Sequence, residues 1–110
     1  MPRESLPNRR RAVTFDVKHG GATYSVGIGL YYDDRLGEVF LSGSKTGSDM
    51  DGLLADVGVL LSRSLQHGDG VEALARTMSR LGDGMTPASI IGAVLDELRQ
   101  LKEAVLHGCP

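Results

Sequence analysis

The residues best suited to chemistry lie between an expected strand and an expected helix, at Ser42-Gly43-Ser44-Lys45-Thr46-Gly47-Ser48. Backbone amides, hydroxyls and a lysine at a helix N-terminus are what anion binding needs. Ser44, Lys45, Thr46, Gly47 and Ser48 are therefore the candidate site for a small ligand, a nucleotide or another anion, with Arg35 or the Arg9 to Arg11 arm beside them. The residue order is not that of a Walker A loop. Asp49 and Asp51 put negative charge where a phosphate would sit, so a capping loop that holds no ligand is the favoured reading.

Other reactive residues form no constellation. His19, His67 and His107 stand far apart and show no ligand spacing with cysteine, so no metal site is expected. Asp33 and Asp34 are adjacent turn residues rather than a catalytic pair. No base is placed beside a serine or cysteine, as nucleophilic catalysis would require. The expectation is a non-enzyme, with no catalytic residues and no cofactor.

The elements that position these residues follow from periodicity. Val13, Phe15 and Val17 alternate with Thr14 and Asp16, which predicts a half-buried strand from Ala12 to Lys18. After Gly20-Gly21 a second alternation puts Tyr24, Val26, Ile28, Leu30 and Tyr32 on one face, with Gly27 and Gly29 forming a flat strip on the other. A turn at 33–37 leads to a third strand, Glu38 to Ser42, with Val39 and Leu41 on one side of the pleat and Phe40 on the other. The period then becomes helical. Met50, Leu53, Leu54, Val57, Leu60, Leu61 and Leu65 predict one buried stripe, capped by Ser48, with small Ala55, Gly58 and Ser62 along another side. A second helix is expected to turn Val71, Leu74, Ala75, Met78 and Leu81 inward and to end at Gly82-Asp83-Gly84. Thr86-Pro87 reads as the start of a third, running to about Leu106. Its apolar residues Ile91, Val94, Leu98, Leu101 and Val105 repeat as three and four and are the candidate interaction surface. The fold class is α+β, a three-stranded antiparallel meander followed by three helices packed on one face, a βββααα two-layer sandwich.

Length and composition allow one domain: a flexible basic arm over 1–11, a single domain over 12–107 and a frayed end at 108–110. A formal net charge of −2 gives no basis for a nucleic-acid partner, and no apolar run is long enough to span a membrane. The one cysteine, Cys109, excludes an internal disulfide, and no secretory signal is legible, so the cytoplasm is the expected compartment. A three-stranded sheet with an open face favours a homo-oligomer.

The middle of the chain resembles one known segment. Gly29-Leu30-Tyr31, Asp33, Gly37-Glu38-Val39-Phe40-Leu41, Lys45, Gly47-Ser48, Gly52-Leu53, Ser62 and Leu65-Gln66-His67-Gly68 are similar to the C-terminal TSCPD domain of adenosylcobalamin-dependent (class II) ribonucleotide reductases. The resemblance runs from about Arg11 to Leu81. Asp34 stands where the family has Gly, Asp69-Gly70 replaces a Val-Pro pair, and past Gly82 a helix replaces the cysteine-bearing tail. Reduction in that family uses a thiyl-radical cysteine, a reducing cysteine pair and a cobalamin site within a large barrel. The resemblance therefore implies a non-catalytic accessory or regulatory module of deoxyribonucleotide synthesis, with a ribonucleotide reductase subunit as a possible partner.

Overall fold

The structure is a computed structural model that describes residues 2–43 and 47–106, with side chains as far as Leu101. The chain falls into two compact units, residues 1–69 and 70–110. The elements follow the expected order of three strands and then three helices, an α+β fold.

In the first unit, β1 (Ala12–His19), β2 (Ala22–Leu30) and β3 (Leu36–Ser42) form an antiparallel sheet in the order β1-β2-β3. The β1–β2 hairpin turns on Gly20 and Gly21, whose φ values of 59° and 80° suit the left-handed turn that matches strand twist. Register places Val13 opposite Ile28, Phe15 opposite Val26, and Val26 opposite Leu41, so the apolar row of each strand shares one face. Val17, Val26, Ile28, Val39 and Leu41 are buried there.

The register of β2 on β3 shifts between Gly29 and Leu30. That irregularity ends the alternation, so Tyr31 is the buried tyrosine and Tyr32, expected inward, is 81% exposed. The strip left by Gly27 and Gly29 is filled from within the chain. Phe40 lies 3.7 Å from where a Gly27 Cβ would be, and the Glu38 side chain crosses Gly29 so closely that any Cβ there would overlap it.

Helix α1 (Asp49–Gln66) packs on β3. Leu54, Gly58, Leu61, Ser62 and Leu65 form its buried face. Met50, Leu53 and Leu60 stay exposed, so the predicted single stripe is two, and only one of them meets the sheet. Of the small residues, Gly58 and Ser62 make the contact, while Ala55 is exposed. A Cβ on Gly58 would sit 3.0 Å from the Val39 carbonyl oxygen. The Val39 amide donates to Ser62 Oγ at 2.9 Å, and Gln66 Nε2 donates to the Gly37 carbonyl at 2.9 Å. The helix thus satisfies outward backbone groups of an edge strand that would otherwise be open to another chain.

The N-terminal segment runs from β1 to the end of α1. Arg10 Nε donates to Glu38 Oε1 at 2.5 Å, Arg11 pairs with Asp34, and the Glu4 amide donates to the Gln66 carbonyl at 2.8 Å. Leu6 fills the space over Gly37 that a side chain would need.

In the second unit, α2 (Val71–Arg76) is shorter than expected, and Leu81 is 53% exposed rather than inward. α3 begins at Ile90 rather than at Thr86-Pro87, with Ser89 Oγ accepting from the Gly92 amide. Between these helices the chain doubles back, pairing Arg80 with Pro87. The turn is held by Asp83, whose carboxylate accepts from the Met85 amide, the Thr86 amide and the Thr86 hydroxyl. Thr86 is thus a turn residue, not a helix cap. α2 packs on α3, with Val71 and Ala75 buried on the one and Ala93, Val94, Leu95 and Leu98 on the other.

Candidate functional site

The residues proposed as a ligand loop are only partly described, since Ser44, Lys45 and Thr46 lie outside the described residues. Its far end is built around α1. Ser48 is the N-cap, its side chain accepting from the Asp51 amide at 3.1 Å. Asp51 returns its carboxylate to the loop, accepting from the Gly43 amide at 3.2 Å and the Gly47 amide at 3.3 Å. A carboxylate from within the chain therefore occupies two amides, those of Gly43 and Gly47, that an incoming anion could use.

Arg35 lies at the opposite end of β3 from Gly43, where the described part of this loop begins. It precedes β3 while the loop follows it, and the seven residues of β3 put roughly 20 Å between them. Arg35 is also engaged through all three of its side-chain nitrogens. Its Nη1 and Nη2 donate to the two carboxylate oxygens of Glu4 at 2.9 and 2.8 Å, its Nε donates to Asp33 Oδ2 at 2.7 Å, and its guanidinium lies 4.6 Å from the centre of the Tyr31 ring. Hydrogen bonds from Arg35 hold the Glu4 and Asp33 carboxyls below their usual range, and those carboxylates in turn raise the Arg35 pKa. Burial raises the Tyr31 hydroxyl, which donates to the Glu4 carbonyl at 2.5 Å. These groups, with Leu6 and Tyr32, line an open depression of about 410 Å³. Sequence periodicity gave no hint of it, because Glu4 comes from outside the strands. Arg10 and Arg11 are bound to Glu38 and Asp34, so two of the three arginines at 9–11 are also paired.

The α3 surface is corrected in part. Val94 and Leu98 are almost wholly buried, Ile91 is half-buried and Leu101 is 38% exposed, while the Val105 side chain lies outside the described ones. A three-and-four repeat marks a core stripe as readily as a docking seam, and at Val94 and Leu98 it marks the core. Among the described residues no group of three or more His, Cys, Asp or Glu side chains could hold a metal ion. No helix of the described residues is long and apolar enough to cross a membrane.

Comparison with known proteins adds a family. The TSCPD domain profile matches residues 2–102. A vitamin B12-dependent ribonucleotide reductase of Rhodopirellula baltica is 34% identical over 77 residues, covering 70% of this chain and 7% of the reductase. Proteins of the same description from Streptantibioticus cattleyicolor and Agrobacterium fabrum are 39% and 33% identical over 70 residues, 64% of this chain and 12% and 6% of their own lengths. The chain thus spans a small part of the curated relatives it matches. No solved structure matches it significantly.

Proposed function

Because the chain belongs to the TSCPD domain family, we propose that it is a non-catalytic accessory or regulatory interaction module of the vitamin B12-dependent ribonucleotide reductase kind, self-associating and binding protein rather than turning over nucleotide. One observation carries the reading: several of the residues by which the chain resembles those reductases have architectural work. Gly29 lies under Glu38, Gly37 admits Leu6 and Tyr31, Ser48 caps α1, Ser62 bonds β3, and Gln66 ties both Gly37 and Glu4. These five shared residues serve the scaffold, which supports reading the chain as a module rather than a catalyst. Anion capture at the 44–48 loop is the weaker alternative, since Asp51 already holds the Gly43 and Gly47 amides.

The test uses the purified chain with the purified B12-dependent reductase of the same organism. Sedimentation should show a complex at micromolar concentration. A reduction assay with adenosylcobalamin and a dithiol should show no deoxyribonucleotide from the chain alone, and an altered rate when the chain joins the reductase. Absence of a complex at high micromolar concentration, or turnover by the chain alone, overturns the reading.

A further inference from the structure

The two edges of the sheet are treated differently. The outward backbone of β3 is met by Gly58, Ser62 and Gln66 of α1. At the other edge, the Leu30 amide donates to the Arg11 carbonyl at 2.9 Å. Antiparallel pairing alternates from that point, so Val13, Phe15, Val17 and His19 bond β2. Ala12, Thr14, Asp16 and Lys18 then direct their N–H and C=O groups away from the sheet. Among the described residues, no hydrogen bond reaches these outward groups. All four residues are exposed, the strand holds no proline, and its pairing with β2 shows no register shift. On the face shared with the core, Val13 is 42% exposed and Phe15 is half-buried at this rim.

We propose that this free edge pairs with β1 of a second copy of the chain, antiparallel about a two-fold axis through Phe15, joining two three-stranded sheets into one of six. This rests on the self-association in the reading above and deepens it by naming the surface and the register. Charge and the length of strand paired select the register: an axis at Val17 would set Asp16 opposite Lys18 but leave Ala12 and Val13 opposite the hairpin turn, outside the ladder. With the axis at Phe15, Thr14 faces the second copy's Asp16 and Ala12 faces its Lys18, so no charge meets a like charge directly opposite. On the core face Val13 meets Val17 and Phe15 meets Phe15, which continues the apolar row across the axis. Moving the axis to Asp16 sets two carboxylates face to face. Moving it to Thr14 sets Lys18 against Arg10. A slip by a single residue turns the apolar row to the wrong side of the sheet. An unrelated strand would not arrive with this complement, whereas a second copy necessarily does.

The experiment is amide hydrogen exchange by NMR over a concentration series, with the mass followed by sedimentation. The Thr14, Asp16 and Lys18 amides should become protected as the dimer forms, while Phe15 and Val17 are protected at every concentration. Thr14→Pro removes an outward N–H at no cost to the β1–β2 ladder. By symmetry the dimer loses two hydrogen bonds, and its dissociation constant should rise about thirtyfold. In a Cys109→Ser background, Phe15→Cys should oxidise to a cross-linked dimer and Asp16→Cys should not. A dimer whose Thr14, Asp16 and Lys18 amides still exchange freely overturns the edge proposal and leaves self-association standing. A chain that stays monomeric overturns both. Protection that appears only when the reductase is added, or cross-linking chiefly through position 16, also overturns it.

Discussion

At the scale of single residues, the fold turns on groups that contribute backbone access rather than bulk. Ser62 is the one buried polar residue among those described. Its hydroxyl accepts from the Val39 amide and lies within donating distance of the Gly58 and Val39 carbonyls, at 2.8 and 3.2 Å. Ser62→Ala strands the Val39 amide in a buried site, and chemical denaturation should show a loss of about 1–3 kcal/mol. Gly58→Ala tests the same contact from the other side. Overpacking costs about 1–3 kcal/mol against the roughly 1 kcal/mol that Ala gains over Gly in a helix, and the opposing atom is a backbone oxygen with little freedom to retreat. A net loss of stability is expected. Asp34 works in the opposite sense. It holds φ at 67°, a left-handed conformation that favours glycine. The resemblance places Gly at this position, so the turn geometry is available to both residues and Asp34 bears the strain. Asp34→Gly should raise stability by up to about 1 kcal/mol, because the Arg11 pair it gives up is exposed on both sides.

At the scale of elements, the turn between α2 and α3 shows how a local side chain overrides a helix signal. Hydrogen bonds from Thr86 and Met85 pull the Asp83 carboxyl down to about 2 from an ordinary 3.8. A carboxyl depressed on folding stabilises fully above its unfolded value and ceases to do so as pH falls through its folded one. The stability advantage of the native chain over Asp83→Asn should therefore be constant above about pH 4 and fade toward pH 2, followed by thermal unfolding at each pH. The same turn explains what the sequence hid. Thr86-Pro87 has the chemistry of a helix start, but Asp83 takes the Thr86 amide and hydroxyl first, and Ser89 takes over as the cap of α3. The strands were legible to within about two residues at each end, because period-two burial survives wherever the ladder is regular. It failed at Tyr31 and Tyr32, where a register shift that alternation cannot reveal exchanges inside for outside. In α1 the apolar residues were legible but their partition was not, since Met50, Leu53 and Leu60 share a period with the residues that meet β3. The candidate site was legible as chemistry and not as geometry: Arg35 and the 44–48 loop are seven strand residues apart, and Glu4, which binds Arg35, belongs to no periodic element.

At the scale of the whole molecule, the uneven protection of the sheet becomes a thermodynamic statement. A helix with a glycine and a serine set against β3 closes one edge, and among the described residues of the first unit no element does the same for β1. If a second copy closes it, unfolding the dimer releases two chains, and mass action makes the midpoint depend on protein concentration. For a chain of 110 residues, unfolding entropy scales to give a rise of about 3 °C in Tm for each tenfold increase in concentration above the dimer dissociation constant. Thr14→Pro should flatten that slope over the same concentration range without lowering the dilute-limit Tm, since the outward amide of Thr14 serves no bond within the chain. A slope equal in the two proteins would place the association elsewhere on the surface. The absence of any slope in the native chain, up to millimolar concentration, would mean that the β1 edge meets only solvent.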